Sequence, residues 1–392
     1  MSILEPTCPH ACRACGQALL VPPLLQQHDM PASAQSLPHE SELANEHGIT
    51  LELRQCAACG LVQTTNETVP YYREVIRAAA VSPEMSAFRK AQFAAFVERH
   101  GLAGRHMLEI GSGHGEYLQL LAEAGVAAHG IEHSATAVAD CRRRGLDVAQ
   151  GFMEAADTDV PGAPFDAFMI LNFLEHLPSP RTVLAGIRHN VAAGAPGLVE
   201  VPNFDMMLRA DLFSEFISDH LFYFTESTLR TLLESNGFDV VDCEPVWHDY
   251  ILATTVRARR PLDLTAMTIA QARQQESFDR FLIGTARDRV AIWGAGHQAL
   301  ATINLLSLAP RVRYVVDSAA FKQGRHTPGS HLPIVAPERI ADDGIDTVIV
   351  MAASYSDEVA AILRTRFGSQ LRVAVLRAHG LEELALAGGN GR

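Results

Sequence analysis

Apolar positions fall into distinct regimes along the chain. In "FRKAQFAAFVER", Phe88, Phe93, Phe96 and Val97 recur on roughly one face, which predicts an amphipathic helix. From there to about Arg260, short apolar runs suited to buried strands alternate with amphipathic stretches. Such alternation predicts a parallel α/β sheet. Before about Ser86 the pattern is lost, and the Pro- and Cys-rich segment reads as irregular. After Arg260 a polar helical stretch, "LTAMTIAQARQQESFDRFLIGTARD", reads as a connector, and a second, shorter α/β pattern begins at "RVAIWGAGHQ". The closing "LAGGNGR" reads as a frayed tail. Three domains are expected on this reading: 1–85, 86–260 and 261–392.

Length and charge narrow the picture further. A chain of 392 residues exceeds one ordinary core, so two or three domains are expected. With 48% apolar and 20% charged residues, the composition is that of a soluble globular protein. A net charge of −13 argues against a general nucleic-acid binder, which needs a basic face. No apolar run approaches the roughly 18 residues of a membrane span, so no membrane partner is expected. The opening "MSILEPTCPHACRACG" lacks the basic-then-apolar pattern of a signal peptide, so the expected location is cytoplasmic. Paired cysteines in a reducing compartment are more readily metal ligands than disulfides.

Two such pairs are present, Cys12-x-x-Cys15 and Cys56-x-x-Cys59. A tetrahedral Zn²⁺ takes four thiolates, and a two-residue spacer lets one tight turn present two of them. The expected site is a structural zinc closed by Cys12, Cys15, Cys56 and Cys59, with Cys8 and His10 near enough to replace a ligand. Four thiolates leave no open position for a substrate. The gap between the pairs demands an inserted hairpin or loop.

The segment "HMLEIGSGHGEYLQLLAEAG" reads as strand, glycine turn and helix. Gly111, Gly113 and Gly115 let the backbone approach a ligand closely. The next strand, "VAAHGI", ends in Glu132, about twenty residues after the first glycine, where an acid can accept both hydroxyls of a ribose. Glu109 stands two residues before the first glycine. The pattern Glu109-x-Gly111-Ser112-Gly113-x-Gly115 resembles motif I of the class I S-adenosylmethionine-dependent methyltransferases more than the G-x-G-x-x-G of NAD enzymes. That resemblance implies an α/β fold with a seven-stranded Rossmann-like sheet. It implies cofactor contacts from Glu132 and His133, adenine contacts from Phe152 and Met153, and a cofactor contact from Asn172 after the fourth strand, "PFDAFMIL". "GLVEVPN" then reads as the fifth strand, and "GFDVVDCEPVWHDYILATTVRAR" as a closing hairpin with an antiparallel last strand.

Over nearly its whole length the chain resembles the nucleotide-sugar C-methyltransferases of deoxysugar biosynthesis. The pieces that carry this are "CRACG", "CAACGLVQ", "LEIGSGHGEYL", "NFLEHLP", "DHLFYFTESTLRTLLESNGF" and "VVDSAAFKQGRHTPGSHLPI". The resemblance implies an N-terminal zinc module, a methyltransferase core and a smaller C-terminal Rossmann-like domain. It also implies methylation of carbon 3 of a 4-keto-hexose carried on thymidine diphosphate. The family's base is a histidine in a Glu-His pair, and His220 stands at that position. An imidazole suits removal of a proton alpha to a ketone, and the enolate then needs a hydrogen-bond donor, which His176 of "LEHLP" is expected to supply. The pattern departs from the family at Ile217, where a Tyr is expected, and at Asp219, where a Glu is expected. Both changes leave the sugar open. Tyr71 and Tyr72 resemble the family's active-site tyrosine, with packing as the plain alternative.

In the C-terminal region Gly294, Gly296 and Ala299 fit G-x-G-x-x-A, and Asp317 ends the following strand. Three readings stand: a degenerate turn, a diphosphate or sugar contact aided by Lys322, Arg325 and His326, or bound NAD. For the whole chain the leading reading is C-methylation of a nucleotide-linked keto-sugar. Its rivals are N- or O-methylation of a related sugar or small metabolite, an NAD-dependent oxidoreductase, and a zinc-ribbon adaptor without activity. Oligomeric state is not legible in the sequence.

Overall fold

The computed structural model describes residues 11–74 and 82–385. Cys8, His10 and the "LAGGNGR" tail lie outside the described residues. The chain divides into two units, Met1–Pro261 and Leu262–Arg392.

The first unit opens with strands β1 (Leu25–Met30), β2 (Ile49–Gln55) and β3 (Val62–Thr64). The expectation of irregular structure before Ser86 is therefore corrected. Leu51 and Leu53 of β2 alternate inward and are buried, while β1 is polar and half exposed, which hid it from a hydrophobic-pattern reading.

Helix α1 (Pro83–His100) starts where the Ser82 hydroxyl accepts the Met85 amide and Pro83 presets the first turn, and it stops at Gly101, whose φ is 64°. There follow β4 (His106–Ile110), α2 (Glu116–Glu123), β5 (Ala127–Glu132), α3 (Ala135–Arg143) and β6 (Asp147–Gln150). The chain then returns through β7 (Ala167–Leu171), α4 (Pro180–Asn190), β8 (Pro196–Pro202) and α5 (Phe204–Arg209). A two-residue strand β9 (Phe222–Tyr223), α6 (Glu226–Ser235) and the hairpin of β10 (Phe238–Val246) and β11 (Ile251–Ala258) complete the unit.

The large sheet runs β10-β11-β8-β7-β4-β5-β6, with β11 antiparallel to both neighbours. The seven-stranded sheet with an antiparallel closing strand is as expected. Strand β4 pairs in parallel with β5 on one side and β7 on the other. The chain leaves β4 toward one edge and later returns on the opposite side, so a crevice opens at the carboxyl end of β4. The glycine turn, Glu132 and Asn172 all sit at that end.

The small sheet runs β1-β2-β3-β9, so the cysteine-bearing segment shares a sheet with a strand from the far side of the core. Leu221 fixes the junction. Its amide donates to the Glu175 carbonyl at 2.8 Å, and its carbonyl accepts the Thr64 amide at 3.0 Å. His220 is thus pegged by the residue that follows it to both sheets.

The second unit comprises α7 (Thr265–Phe281), β12 (Val290–Trp293), α8 (His297–Leu305), β13 (Tyr314–Val316), β14 (Ile334–Val335), α9 (Arg339–Asp342), β15 (Thr347–Val350), α10 (Ser356–Phe367), β16 (Arg372–Arg377) and β17 (Gly380–Glu383). Its sheet order is β14-β13-β12-β15-β16-β17, parallel except for β17. Helix α7 is no bare connector, since Phe278 and Phe281 bury into this unit's core. Among the described residues no helix is long and apolar enough to cross a membrane.

One feature of α1 runs against its apolar face. Arg89 is fully buried, and its Nη1 donates to Glu200 Oε2 of β8 at 2.5 Å and to Gln92 Oε1 at 2.7 Å. Its guanidinium lies over the Phe88 and Tyr117 rings. Removing one partner strands a buried charge, so Arg89→Ala is expected to cost about 3–5 kcal/mol of unfolding free energy in denaturant titration, and the apolar double variant Arg89→Met with Glu200→Leu much less.

Candidate functional site

At the end of β4 the chain turns sharply. Gly111 has φ 72°, and a Cβ there would stand 2.8 Å from the Phe173 ring. Gly113 has φ 54° with open space where a side chain would be, so its backbone faces the crevice. Glu132 locks the turn: Oε2 accepts the Gly113 amide and Oε1 the Ser134 amide, each at 2.8 Å. Each oxygen keeps a second lone pair for a ribose hydroxyl.

A cavity of about 740 Å³ opens here, lined by Gly111, Gly113, Glu132, Asn172, His176 and His220 among others. That lies in the upper part of the range of about 300–1,000 Å³ for small-molecule sites, room for a cofactor and an acceptor together. Asn172 takes φ 47° at the tip of β7, and its Oδ1 is buried without a hydrogen-bond partner. A narrow slot of about 10 Å³ joins at Gly111 and Glu132 and is bounded by His133, Phe152, Met153 and Phe173. The expected adenine contacts meet there. The Arg73 guanidinium lies 5.3 Å from the Phe152 ring centre at this slot.

Two expected cofactor contacts are corrected. Ser112 is fully buried, its hydroxyl packed against Gly130 on β5, so its side chain does not face the cavity. Glu109 is fully buried within β4 and lines neither opening.

On the opposite wall stand two imidazoles. His176 and His220 meet edge to face, with ring centres 4.7 Å apart. His176 is 5% exposed, and its Nδ1 lies 2.8 Å from the Asp219 carbonyl. A carbonyl only accepts, so Nδ1 carries the proton and the neutral ring offers Nε2 as an acceptor. Burial pushes His176 down to about 4. The expectation that His176 donates to an enolate is therefore corrected. Burial, and then His176, push His220 down to about 3. Its ring is half-buried at the cavity wall and makes no hydrogen bond to protein among the described residues.

A third group was missed in the sequence. Glu175 is buried and lines the same wall, with Oε2 lacking a hydrogen-bond partner. Burial, reinforced by Glu200, pushes its carboxyl up to about 8, so at neutral pH it is mostly the protonated acid. Donor atoms of Glu175, His176 and His220 all lie within 4.8 Å of one another. The only sequence signal was an acid beside a histidine at a strand end.

Asp219 does not orient His220. The segment is a turn, not extended, and the buried carboxylate accepts the Tyr71 hydroxyl at 2.9 Å and the Ala34 amide at 2.9 Å. Tyr71 belongs to that cluster, whereas Tyr72 packs edge-on against Phe152 at the slot. Neither tyrosine lines the large cavity.

The four cysteines of the paired motifs converge. Cys12 and Cys59 sulfurs are 3.7 Å apart, Cys15 and Cys56 sulfurs 3.4 Å, and all four lie within 4.8 Å of one another. Four sulfurs on one tetrahedral ion with metal–sulfur bonds of about 2.3 Å would sit about 3.8 Å apart, so the donor set fits such an ion. The knuckles share one backbone device: Gly16 (φ 77°) and Gly60 (φ 75°) donate to the Cys12 and Cys56 carbonyls. Burial raises the Cys56 thiol, but the amides of Cys59 and Ala58 outweigh it and bring it to about 7.

In the second unit the first glycine of the turn is required by close backbone packing. A Cβ on Gly294 would stand 2.5 Å from the Met351 carbonyl oxygen. Asp317, the acid a ribose would need, accepts the Ala295 and Ala319 amides and pairs with Lys322 at 2.9 Å. Lys322 is thereby spent on Asp317, while Arg325 and His326 are exposed.

Residues 85–242 match the model of a methyltransferase domain, and residues 268–375 that of a C-methyltransferase C-terminal domain. The chain is similar to the C-methyltransferase NovU of Streptomyces niveus, 26% identical over 89% of this chain and 90% of that protein. It is also similar to the ubiquinone biosynthesis O-methyltransferase of Methylococcus capsulatus, 35% identical over 32% of this chain and 55% of that protein. Among solved structures, the PH0226 protein from Pyrococcus horikoshii OT3 aligns over 49% of this chain and 100% of its own, at 13% identity and a TM-score of 0.40.

Glu132 lines the cavity beside the glycine turn, where the sequence leads one to expect a ribose contact. Glu132→Gln loses charge-assisted bonds worth about 1.5–3 kcal/mol. Affinity for S-adenosylhomocysteine by calorimetry is expected to fall roughly 10- to 100-fold; an unchanged affinity would remove Glu132 from the cofactor site.

Proposed function

We propose that this S-adenosylmethionine-dependent methyltransferase, which carries the C-terminal domain of the C-methyltransferases, methylates carbon, with His220 as base and a keto-sugar on a nucleoside diphosphate as acceptor. The observation that carries the reading is the free, neutral His220 imidazole on the wall of a cavity shared with the cofactor turn. The match of residues 268–375 supports carbon as the acceptor atom, since the O-methyltransferase likeness spans only 32% of the chain. The keto-sugar rests on the resemblance of the motifs. The expected cytoplasmic location belongs with that reading.

A sulfonium needs only an in-line nucleophile, and a carbon beside a ketone becomes one when its proton is removed. The His220 imidazole takes that proton. The carbon–hydrogen electrons form the enolate and then the new carbon–methyl bond, while the sulfur–methyl pair returns to sulfur to give S-adenosylhomocysteine. Protonated Glu175 supplies the hydrogen bond to the enolate oxygen, a carboxylic acid kept neutral by burial so that it can donate. Neutral His176, held by the Asp219 carbonyl, leaves no positive charge beside His220.

Outside the reaction, Cys12, Cys15, Cys56 and Cys59 hold a structural zinc ion on this reading, closing the root of the small sheet.

His220→Ala is expected to cut turnover by about 10²–10⁴ and to leave S-adenosylhomocysteine affinity within a few-fold. Near-normal turnover would place the base elsewhere, and an NMR assignment of the methyl to oxygen or nitrogen would overturn carbon as the acceptor.

The pH profile carries its own signature. A base must be unprotonated, and His220 stays so above its lowered value, so no acid limb is expected near 6.5. The donor must be protonated, so kcat/KM should fall as pH rises through about 8. Glu175→Gln, which keeps a donor that does not titrate, should retain activity and lose that limb; an alkaline limb that persists would exclude Glu175.

Cys56→Ser should lower zinc content and thermal stability together. An unchanged metal stoichiometry would defeat the zinc assignment.

A further inference from the structure

The cysteine pairs root a hairpin whose tip reaches the cavity. Leu20 and Leu24 amides donate to the Gln55 and Leu53 carbonyls, so the two legs are zipped from the cysteine cluster outward. Beyond β1 the chain crosses to the site, and Ala34 and Gln35 become part of the cavity wall.

This stretch is bound to the core by a compact set of hydrogen bonds. Asp219 Oδ1 accepts the Ala34 amide, and Oδ2 accepts the Tyr71 hydroxyl, both at 2.9 Å. The Tyr71 oxygen in turn accepts the Ser33 hydroxyl at 2.6 Å and the Gln35 amide at 3.3 Å. Ser33 Oγ accepts the Ser36 amide at 2.7 Å. Asp219 is 2% exposed, and no cation pairs with it among the described residues. A buried carboxylate in that state is tolerated only while its hydrogen bonds are complete. The loop's amide and the tyrosine therefore stabilise it, and it holds them. The same residue's carbonyl fixes His176.

We propose that residues 33–36 form the acceptor-side wall of the cavity, latched by Tyr71 and Asp219, and that this insert between the cysteine pairs selects the acceptor. Asp219 and Tyr71 are positioning residues, and neither takes part in proton transfer. The inference rests on the methyl-transfer reading for the reaction it tunes, but the latch itself is read without that reaction.

Two variants test it. Tyr71→Phe keeps the ring and deletes the shared hydroxyl. Hydrogen–deuterium exchange at the Ala34, Gln35 and Ser36 amides should speed at least tenfold, with exchange across β4, β7 and β8 unchanged. Unaltered exchange at those three amides would overturn the latch. With a thymidine-diphosphate 4-keto-6-deoxyhexose as acceptor, KM should rise about tenfold or more while kcat stays within about threefold. A fall in kcat at constant KM would put Tyr71 in the chemistry instead. Ala34→Trp needs no known acceptor: affinity for S-adenosylhomocysteine should be unchanged, because the wall faces the other half of the cavity. A tenfold loss of that affinity would show that the loop covers the cofactor and would overturn the assignment.

Discussion

Desolvation of two neighbouring imidazoles is the constraint around which the first unit is organised. A histidine in water is half protonated close to neutrality. Here burial removes the solvent that would support the cation on either ring, and His176 further disfavours charge on His220. Both rings are therefore held in the neutral form near neutral pH. The same dryness keeps the adjacent Glu175 protonated. One environment therefore holds two neutral imidazoles beside a carboxyl kept in its acid form, the states that the proposed reaction requires.

Such a site needs walls from distant parts of the chain. The large sheet supplies the glycine turn, Glu132 and the β7 tip from one edge, because its topology opens a crevice beside β4. The small sheet supplies other wall residues, and its last strand, β9, pairs with β3 just after His220. Leu221, bonded to Glu175 on one side and Thr64 on the other, turns the cysteine-bearing segment into part of the active-site frame. A metal at the four sulfurs would then act at a distance, by holding the root of the hairpin that walls the acceptor.

Much of this was legible because it depends on local rules. The spacing of Cys12, Cys15, Cys56 and Cys59, the turn at Gly111 to Gly115, the acid at Glu132 and the seven-strand rhythm each follow from neighbours in sequence. What escaped depends on contacts across the chain. Asp219 and Tyr71 were read as chemistry because both lie near a histidine or a cysteine module. Only the fold shows them bonded to each other, with Asp219 also accepting the amide of Ala34, 185 residues away. Ser112 was read as part of a glycine loop facing the cofactor, but the left-handed turn at Gly111 carries it inward against Gly130. Glu175 was passed over because burial, which makes a carboxyl a donor, has no signature in a two-residue motif. Arg89 was hidden the same way, a charge on an apolar face paired with Glu200, 111 residues on. The C-terminal glycine turn was left with three readings. The structure packs Gly294 closely against the Met351 backbone, and pairs Asp317 with Lys322.

The account turns on a carbon-bound proton leaving to His220, and that step is visible without methyl transfer. The protein is saturated with S-adenosylhomocysteine and a thymidine-diphosphate 4-keto-6-deoxyhexose in heavy water, and NMR follows the hydrogen on the carbon beside the ketone. The wild type should replace one hydrogen with deuterium at a single face, and His220→Ala should lose the exchange. Equal exchange in the two proteins, or a methylated product made by the wild type that keeps every deuterium of an acceptor labelled at that carbon, would contradict it.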